Sequence, residues 1–366
     1  MTVGHPRTAV LLGTVVLALA SLVPRTGAGA LLSWLDGPAA HGPRALGLAA
    51  APDELHDGLK LPVPMILGYY DNPGGDPSGL RSLVAYRHDL TGIVPFWYTI
   101  HRDGTVSGQP EAAVMRYAAR HRLWVFALVQ NMGGPQVYHQ LLTDPLAEHT
   151  AIENLLALCQ TNGYDGLNLD FEGIAPGDGR RYTAFVAQLG SVLHRYGYYL
   201  TLSVPAETRS EPANPWTGAY DYRALARSAD LLLVMAYDQH NGESSPGSIA
   251  ASAWVRRVLS YATTAVNPSR IVLGIPTYGY EWIQGQQGAV ALTYDEAAAL
   301  DDRYAGGNLS LSHFTYYHNG VAHEVFYENT RTFDRKIALA VSFNVRGIAL
   351  WRLGIEDPSI WKQMGG

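Results

Sequence analysis

Cysteine is nearly absent. Cys159 is the only one in 366 residues, which excludes an intrachain disulfide framework. A lone thiol in an apolar helical stretch is expected to pack as a small hydrophobe and says nothing against export. Lysine is almost as scarce, at Lys60, Lys336 and Lys362. None falls in an apolar, strand-like run, so Schiff-base chemistry from a strand-end lysine has no candidate. There is no basic run, and the formal net charge is −6; a protein that tracks nucleic-acid phosphates is excluded on that ground. Beyond one N-terminal run, no segment is long and apolar enough to span a bilayer.

That run is Thr8–Val23, "TAVLLGTVVLALASLV", which follows Arg7 and precedes the small residues "AGA" at 28–30. It is of signal-peptide type, so residues 1–30 read as a signal peptide or, if uncleaved, a membrane anchor, and the protein is expected to be exported to the envelope or the medium. Residues 31–62 form a Pro/Gly/Ala-rich linker in which "GPAAHGP" and "LPVP" break any helix. Residues 63–366 remain for the folded part. Hydrophobic residues make up 47% of the chain, enough for a large core, and the 22 Tyr and 8 Trp suit either that core or a surface that stacks on sugar rings.

From Pro64 onward, eight short apolar runs alternate with amphipathic stretches such as 180–196 and 251–265. The eight are "PMILGYY", "TGIVPFWYTI", "LWVFALVQNM", "YDGLNLDFE", "YLTLSVPAET", "LLLVMAYDQH", "RIVLGIPTYGY" and "RGIALWRLG". Repeated βα units of this number predict an α/β fold, a closed (β/α)8 TIM barrel. The interval after the seventh run is abnormally long. Residues 283–330 read as a small α+β insertion between strand 7 and helix 7, with "HNG" as a hairpin turn. His313, His318 and His323 lie there without metal-ligand spacing and are expected on a solvated hairpin surface.

The fourth run raises the functional question. Asn168, Asp170 and Glu172 alternate with Leu167, Leu169 and Phe171, so one strand face is polar and, in a barrel, points inward. Unpaired buried carboxylates cost several kcal/mol. Glu172 comes last, at the C-terminal rim where barrel active sites gather. Asp170 lies just below it, and two carboxylates this close cannot both ionise freely, so one is expected to hold a proton and act as a general acid. Other strand ends add Met235, Tyr237 and Asp238, then Trp351; Tyr237 and Trp351 fall where a sugar could rest. Tyr69, Asn131 and Trp282 are further rim candidates for sugar contact, with Tyr70, Glu207 and Tyr278 also at strand ends. Asp165, of opposite parity at the strand start, reads as structural. Metal-dependent hydrolysis is disfavoured, because His240 is the one histidine placed near a strand end.

These residues resemble a known family. "DGLNLDFE" is similar to the fourth-strand motif D-G-x-D-x-D-x-E of glycoside hydrolase family 18, the chitinase-like barrels. "MAYD" on strand six, "GIPTYGYEW" on strand seven, the insertion after it and Trp351 on strand eight extend the likeness over residues 64–361. Within the family it most resembles the bacterial spore-cortex and peptidoglycan N-acetylglucosaminidases. The resemblance implies substrate-assisted catalysis, an exception to the two-carboxylate scheme. Glu172 would protonate the glycosidic oxygen, and the substrate's own 2-acetamido carbonyl would attack to give an oxazolinium. Asp170 would orient the acetamide, Tyr237 would donate to its carbonyl, Trp351 would floor the −1 sugar, and Asp238 would hold hydroxyls or the acetamide. Asn168 replaces the family's middle Asp. It is expected to support Asp170 by hydrogen bonding without titrating, which puts the pH profile in question. The implied partner is an N-acetylglucosamine-containing polysaccharide met by a monomer, with no cofactor, no metal and no nucleic acid. The rival reading is a sugar-binding barrel that has lost catalysis.

Overall fold

In the computed structural model, residues 61–364 are described, apart from 132, 309 and 310. The apolar segment 1–30 and nearly all of the linker therefore lie outside the described residues. Eight parallel strands close a barrel: β1 (Met65–Tyr70), β2 (Gly92–Ile100), β4 (Trp124–Gln130), β5 (Gly166–Asp170), β6 (Tyr199–Pro205), β7 (Leu231–Met235), β8 (Ile271–Pro276) and β13 (Gly347–Trp351). Closure is by β1 against both β2 and β13. Each expected run holds one of these strands. A short β3 (Val106–Gly108) doubles back antiparallel on the end of β2, a hairpin that its three residues did not announce.

Around the barrel lie helices α1 (Ser78–Ala85), α2 (Ala112–His121), α3 (Pro135–Thr143), α4 (Pro145–Asn162), α5 (Gly179–Arg195), α6 (Tyr222–Leu225) and α7 (Ser252–Ala265). Strand parity decides which residues face them. Leu167, Leu169, Leu232 and Val234 join the large cluster between sheet and helices, where each buried Leu or Val is worth roughly 1.5–3 kcal/mol. Cys159 packs in the same cluster, fully buried. The opposite parity, with Met65, Leu67, Phe126, Leu128, Leu231, Leu233 and Val272, fills the barrel interior. On β5 and β6 that inward face is polar instead: Asn168, Asp170, Thr201 and Ser203 are all buried.

After β8 the chain leaves the barrel for a four-stranded antiparallel sheet, β10-β9-β12-β11 in order. Its strands are β9 (Gly279–Ile283), β10 (Ala289–Leu292), β11 (His313–His318) and β12 (Val321–Tyr327), with α8 (Tyr294–Tyr304) between β10 and β11. This is the insertion, and its first strand starts at Gly279, earlier than residue 283. The "HNG" turn closes β11 on β12 through Asn319 and Gly320, both at positive φ (50° and 78°), the two-residue geometry that Asn-Gly supplies. One histidine departs from the expected solvated surface. His323 Nδ1 lies 2.7 Å from Glu281 Oε1 and its ring stacks on Tyr316 at 4.6 Å, because strand parity turns it toward the covered face. The chain returns through α9 (Thr330–Ser342), capped by Asn329 and Thr332, and ends in α10 (Trp361–Met364). Among the described residues, no helix is long and apolar enough to cross a membrane.

Candidate active site

The polar sector of the barrel interior is a connected network. Asn168 Nδ2 donates to Thr201 Oγ1 at 3.0 Å, and Thr201 Oγ1 donates to Leu167 O at 3.0 Å. Ser203 Oγ donates to Asn168 Oδ1 at 2.9 Å and lies 2.9 Å from Tyr69 Oη. The expected link from Asn168 to Asp170 is replaced by these two: register sets Asn168 beside Thr201, so both ends of its amide are taken by β6. Thr201 and Ser203 were missed as site residues, although their alternation in "YLTLSVPAET" is the same signal that marked β5. Tyr69 is buried with its ring edge-on to Trp351, centroids 5.1 Å apart; it braces Trp351 from beneath.

Above the network stand the carboxylates. Asp170 is buried and its Oδ1 has no hydrogen-bond partner among the described residues. Burial pushes its pKa well up from the usual carboxylate range, and the Ser203 hydroxyl draws it part of the way back. Glu172 follows at the rim, partly open to the mouth. Desolvation raises its pKa strongly, and the nearby charges of Asp170 and Asp238 add to the rise. Among the described residues, none of the charged groups acting on these two is a cation. Both shifts are upward, so the pair as a unit retains a proton toward neutral pH.

Tyr237 faces the same space from the end of β7. Burial, then the charges of Tyr69, Asp170, Glu172 and Asp238, hold its phenol far above the ordinary range, so it is a permanent donor. Gly274 on β8 makes room for it. A Cβ there would lie 2.7 Å from Val234 O and 3.0 Å from Tyr237 Cε1, so any side chain would displace the ring. Met235 is partly buried at the end of β7. Asp238 turns the chain with φ 56° and opens onto the cleft; Tyr278 Oη donates to its Oδ1 at 2.5 Å and Tyr280 Oη at 3.4 Å. The low-dielectric cleft walls raise the Asp238 pKa, and both phenols lower it. Tyr280 was not foreseen, although it shares the strand parity of the two candidates Tyr278 and Trp282 in "YGYEW". Trp351 ends β13, partly exposed, with Tyr69 and Phe96 (5.9 Å) edge-on beneath it.

Other sequence candidates have different settings. Asn131 ties the loop after β4: its Nδ2 donates to Ile100 O and its Oδ1 accepts from Gly133 N. Trp282 is not at a barrel-strand end. It sits on β9, 7% exposed, with Nε1 donating to Ser244 O at 2.9 Å, since β8 stops at Pro276. Asp165 lies at the far end of the strand from Glu172 and accepts from Val125 N at 2.9 Å. Glu207 is buried beside Tyr261; burial pushes its pKa to about 8 against the Tyr261 hydrogen bond, with Asp221 and Glu211 adding to the rise. Tyr70 donates to Glu111 Oε2 at 3.0 Å.

Comparison with known proteins identifies the family. The family model "Glycosyl hydrolases family 18" matches residues 65–356. A cortical fragment-lytic enzyme of Bacillus cereus is 28% identical, covering 75% of this chain and 67% of the relative. Among solved structures, the Bacillus cereus spore cortex-lytic enzyme SleL superposes with a TM-score of 0.75 at 26% identity, over 84% of this chain and 74% of the other. A chitinase from Chromobacterium violaceum gives 0.72 at 29% identity, over 82% and 97%. The matched segment holds all eight barrel strands, the inserted sheet, and Asp170 and Glu172: the chain belongs to glycosyl hydrolases family 18.

Proposed function

We propose that the protein hydrolyses β-1,4 bonds after N-acetylglucosamine, in peptidoglycan of spore cortex or cell wall or in chitin-like polymers, by retaining, substrate-assisted catalysis. The observation that carries this reading is the bare, buried Oδ1 of Asp170 beside a carboxyl held protonated. An unsatisfied buried acceptor costs roughly 1–3 kcal/mol, a cost relieved when a substrate brings a donor. The N–H of a 2-acetamido group is such a donor.

The steps follow from the groups present. Glu172 gives its proton to the glycosidic oxygen as the bond from that oxygen to the anomeric carbon breaks. The acetamide carbonyl oxygen forms the new bond to the anomeric carbon, and the charge of the resulting oxazolinium is shared with Asp170 through the N–H. Tyr237, always protonated, donates to the acetamide oxygen and sets its angle of attack. Glu172, now ionised, takes a proton from water, which attacks the anomeric carbon and opens the ring with overall retention. Trp351 supplies the apolar floor of the −1 sugar, with Met235 at its edge, and Asp238 accepts from sugar hydroxyls.

The test is parallel digestion of intact peptidoglycan, N-acetylglucosamine oligomers and unsubstituted β-1,4-glucan, with the new reducing ends identified by mass spectrometry. N-acetylglucosamine ends from the first two are expected. Rapid cleavage of the glucan would remove substrate assistance, and saccharide binding without release would make the protein a sugar-binding barrel. Export through the Thr8–Val23 run is part of the proposal; a chain found only in the cytoplasm on fractionation would overturn that part.

A further inference from the structure

The inserted sheet has one face against α8, where Val325 and Tyr316 pack, and another that is open. On the open face, strand register sets Trp282, Glu324 and Thr315 in one row across β9, β12 and β11. The loop after β7 closes the far side, held by Trp282 Nε1 to Ser244 O and by Ala289 N to Gly242 O, both 2.9 Å. Between sheet and loop lies a cavity of about 470 Å³, lined among others by Ser245, Gln284, Gln286, Thr315 and Glu324. That is within the range of small-ligand sites, roughly 300–1,000 Å³. The groove adjoins the barrel mouth. Trp282 meets Tyr280 edge-on at 5.7 Å, and Tyr280 reaches Asp238.

Its chemistry differs from that of the mouth. The aromatic rings near the groove are already committed: Trp282 is 7% exposed and wedged against Tyr280 and Phe326, and His323, which borders the groove, turns its ring to the covered face and stacks on Tyr316. Neither offers a free face to a sugar. What remains is two primary amides, hydroxyls and the Glu324 carboxylate, whose Oε1 lies 3.1 Å from His313 Nε2. Such groups pair with amide bonds and with amines.

We propose that this groove seats the peptide substituent of a peptide-bearing glycan while the sugar backbone lies across the barrel mouth. The inference rests on the glycosidase reading and makes peptide-substituted glycan the preferred substrate over the unsubstituted homopolymer. Thr315→Trp and Gln286→Trp, at two exposed positions, each fill the groove without touching the core. The probes are peptidoglycan fragments carrying their peptides, the same fragments stripped of peptide by an amidase, and N-acetylglucosamine oligomers. Filling the groove should raise KM for the peptide-bearing fragment about tenfold, the equivalent of about 1.4 kcal/mol of lost contact. The kcat, and all kinetics on peptide-free substrates, should stay at wild-type values. Equal loss on every substrate, or no change on any, overturns the proposal. If wild-type protein cleaves none of them, the hydrolase reading fails separately, and binding is measured in Glu172→Gln with and without Thr315→Trp. A preference for the peptide-bearing fragment that Thr315→Trp removes supports the groove; equal binding of all fragments, or none, sinks it.

Discussion

At the barrel mouth, Asp170 and Glu172 are desolvated beside one another, and among the described residues the groups acting on them are a hydroxyl and carboxylates. Where the inserted sheet returns to the barrel, Glu328 is buried too, but Lys336 Nζ donates to both of its oxygens, at 2.8 and 2.7 Å. Burial raises the Glu328 pKa and the ammonium pulls it back. The two regions show what a buried carboxylate is for. One that brings its own cation fastens two elements together. One left without a cation keeps a proton to give and an oxygen to offer, and the fold bears the cost.

Removing the acid should separate the regions most sharply. Glu172→Gln is expected to lower kcat/KM on N-acetylglucosamine oligomers by roughly 10²–10⁴, the contribution of general acid catalysis, while saccharide binding by calorimetry persists; undiminished turnover would end the comparison. Next in size is Lys336→Met. It strands Glu328 without its partner and should cost about 3–5 kcal/mol in denaturant unfolding, with Lys336→Met/Glu328→Leu recovering part of the loss. A single variant as stable as wild type would show that the pair fastens nothing.

Asn168→Asp tests the mouth from below. It breaks the bond to Thr201 and adds a carboxylate next to Asp170, which should push the neighbouring carboxyls up further and move the basic limb of the pH–rate profile to higher pH. An unmoved limb would show that Asn168 does not tune the pair. The smallest effect concerns stability. Asp170 and Glu172 keep their protons to higher pH in the folded chain than in the unfolded one. The folded state thus binds more protons above about pH 4, and stability falls as pH rises from there toward the folded pKa values. Glu172→Gln removes one such group. It should melt about 2 °C higher than wild type at pH 7 and level with it below pH 4. A variant that melts lower at pH 7 would mean that the Glu172 carboxylate is stabilised rather than strained.

Much of this was legible in the residues. The alternation in "YDGLNLDFE" already put Asn168, Asp170 and Glu172 on one face, and the Asn-Gly at 319–320 already marked a hairpin. Other features were hidden for physical reasons. Trp282 read as the end of a barrel strand because aromatic runs look alike whether a strand continues or a new sheet begins. The partners of Asn168 could not be chosen, because a side-chain amide takes whichever groups the register brings alongside. Gly274 looked like any glycine in a strand until the Tyr237 ring was found lying over it.

The sequence by itself determined the eight-strand period, the inward polar face of β5 and the place of Glu172 at the rim, because these follow from local alternation and order along the chain. Only the tertiary structure decided that Asp170 has a bare oxygen and no cation among the described residues, that Tyr237 and Asp238 converge on the same space, and that the inserted sheet adds a groove beside it. Those depend on distances between residues far apart in the chain, and the closure of the barrel sets such distances.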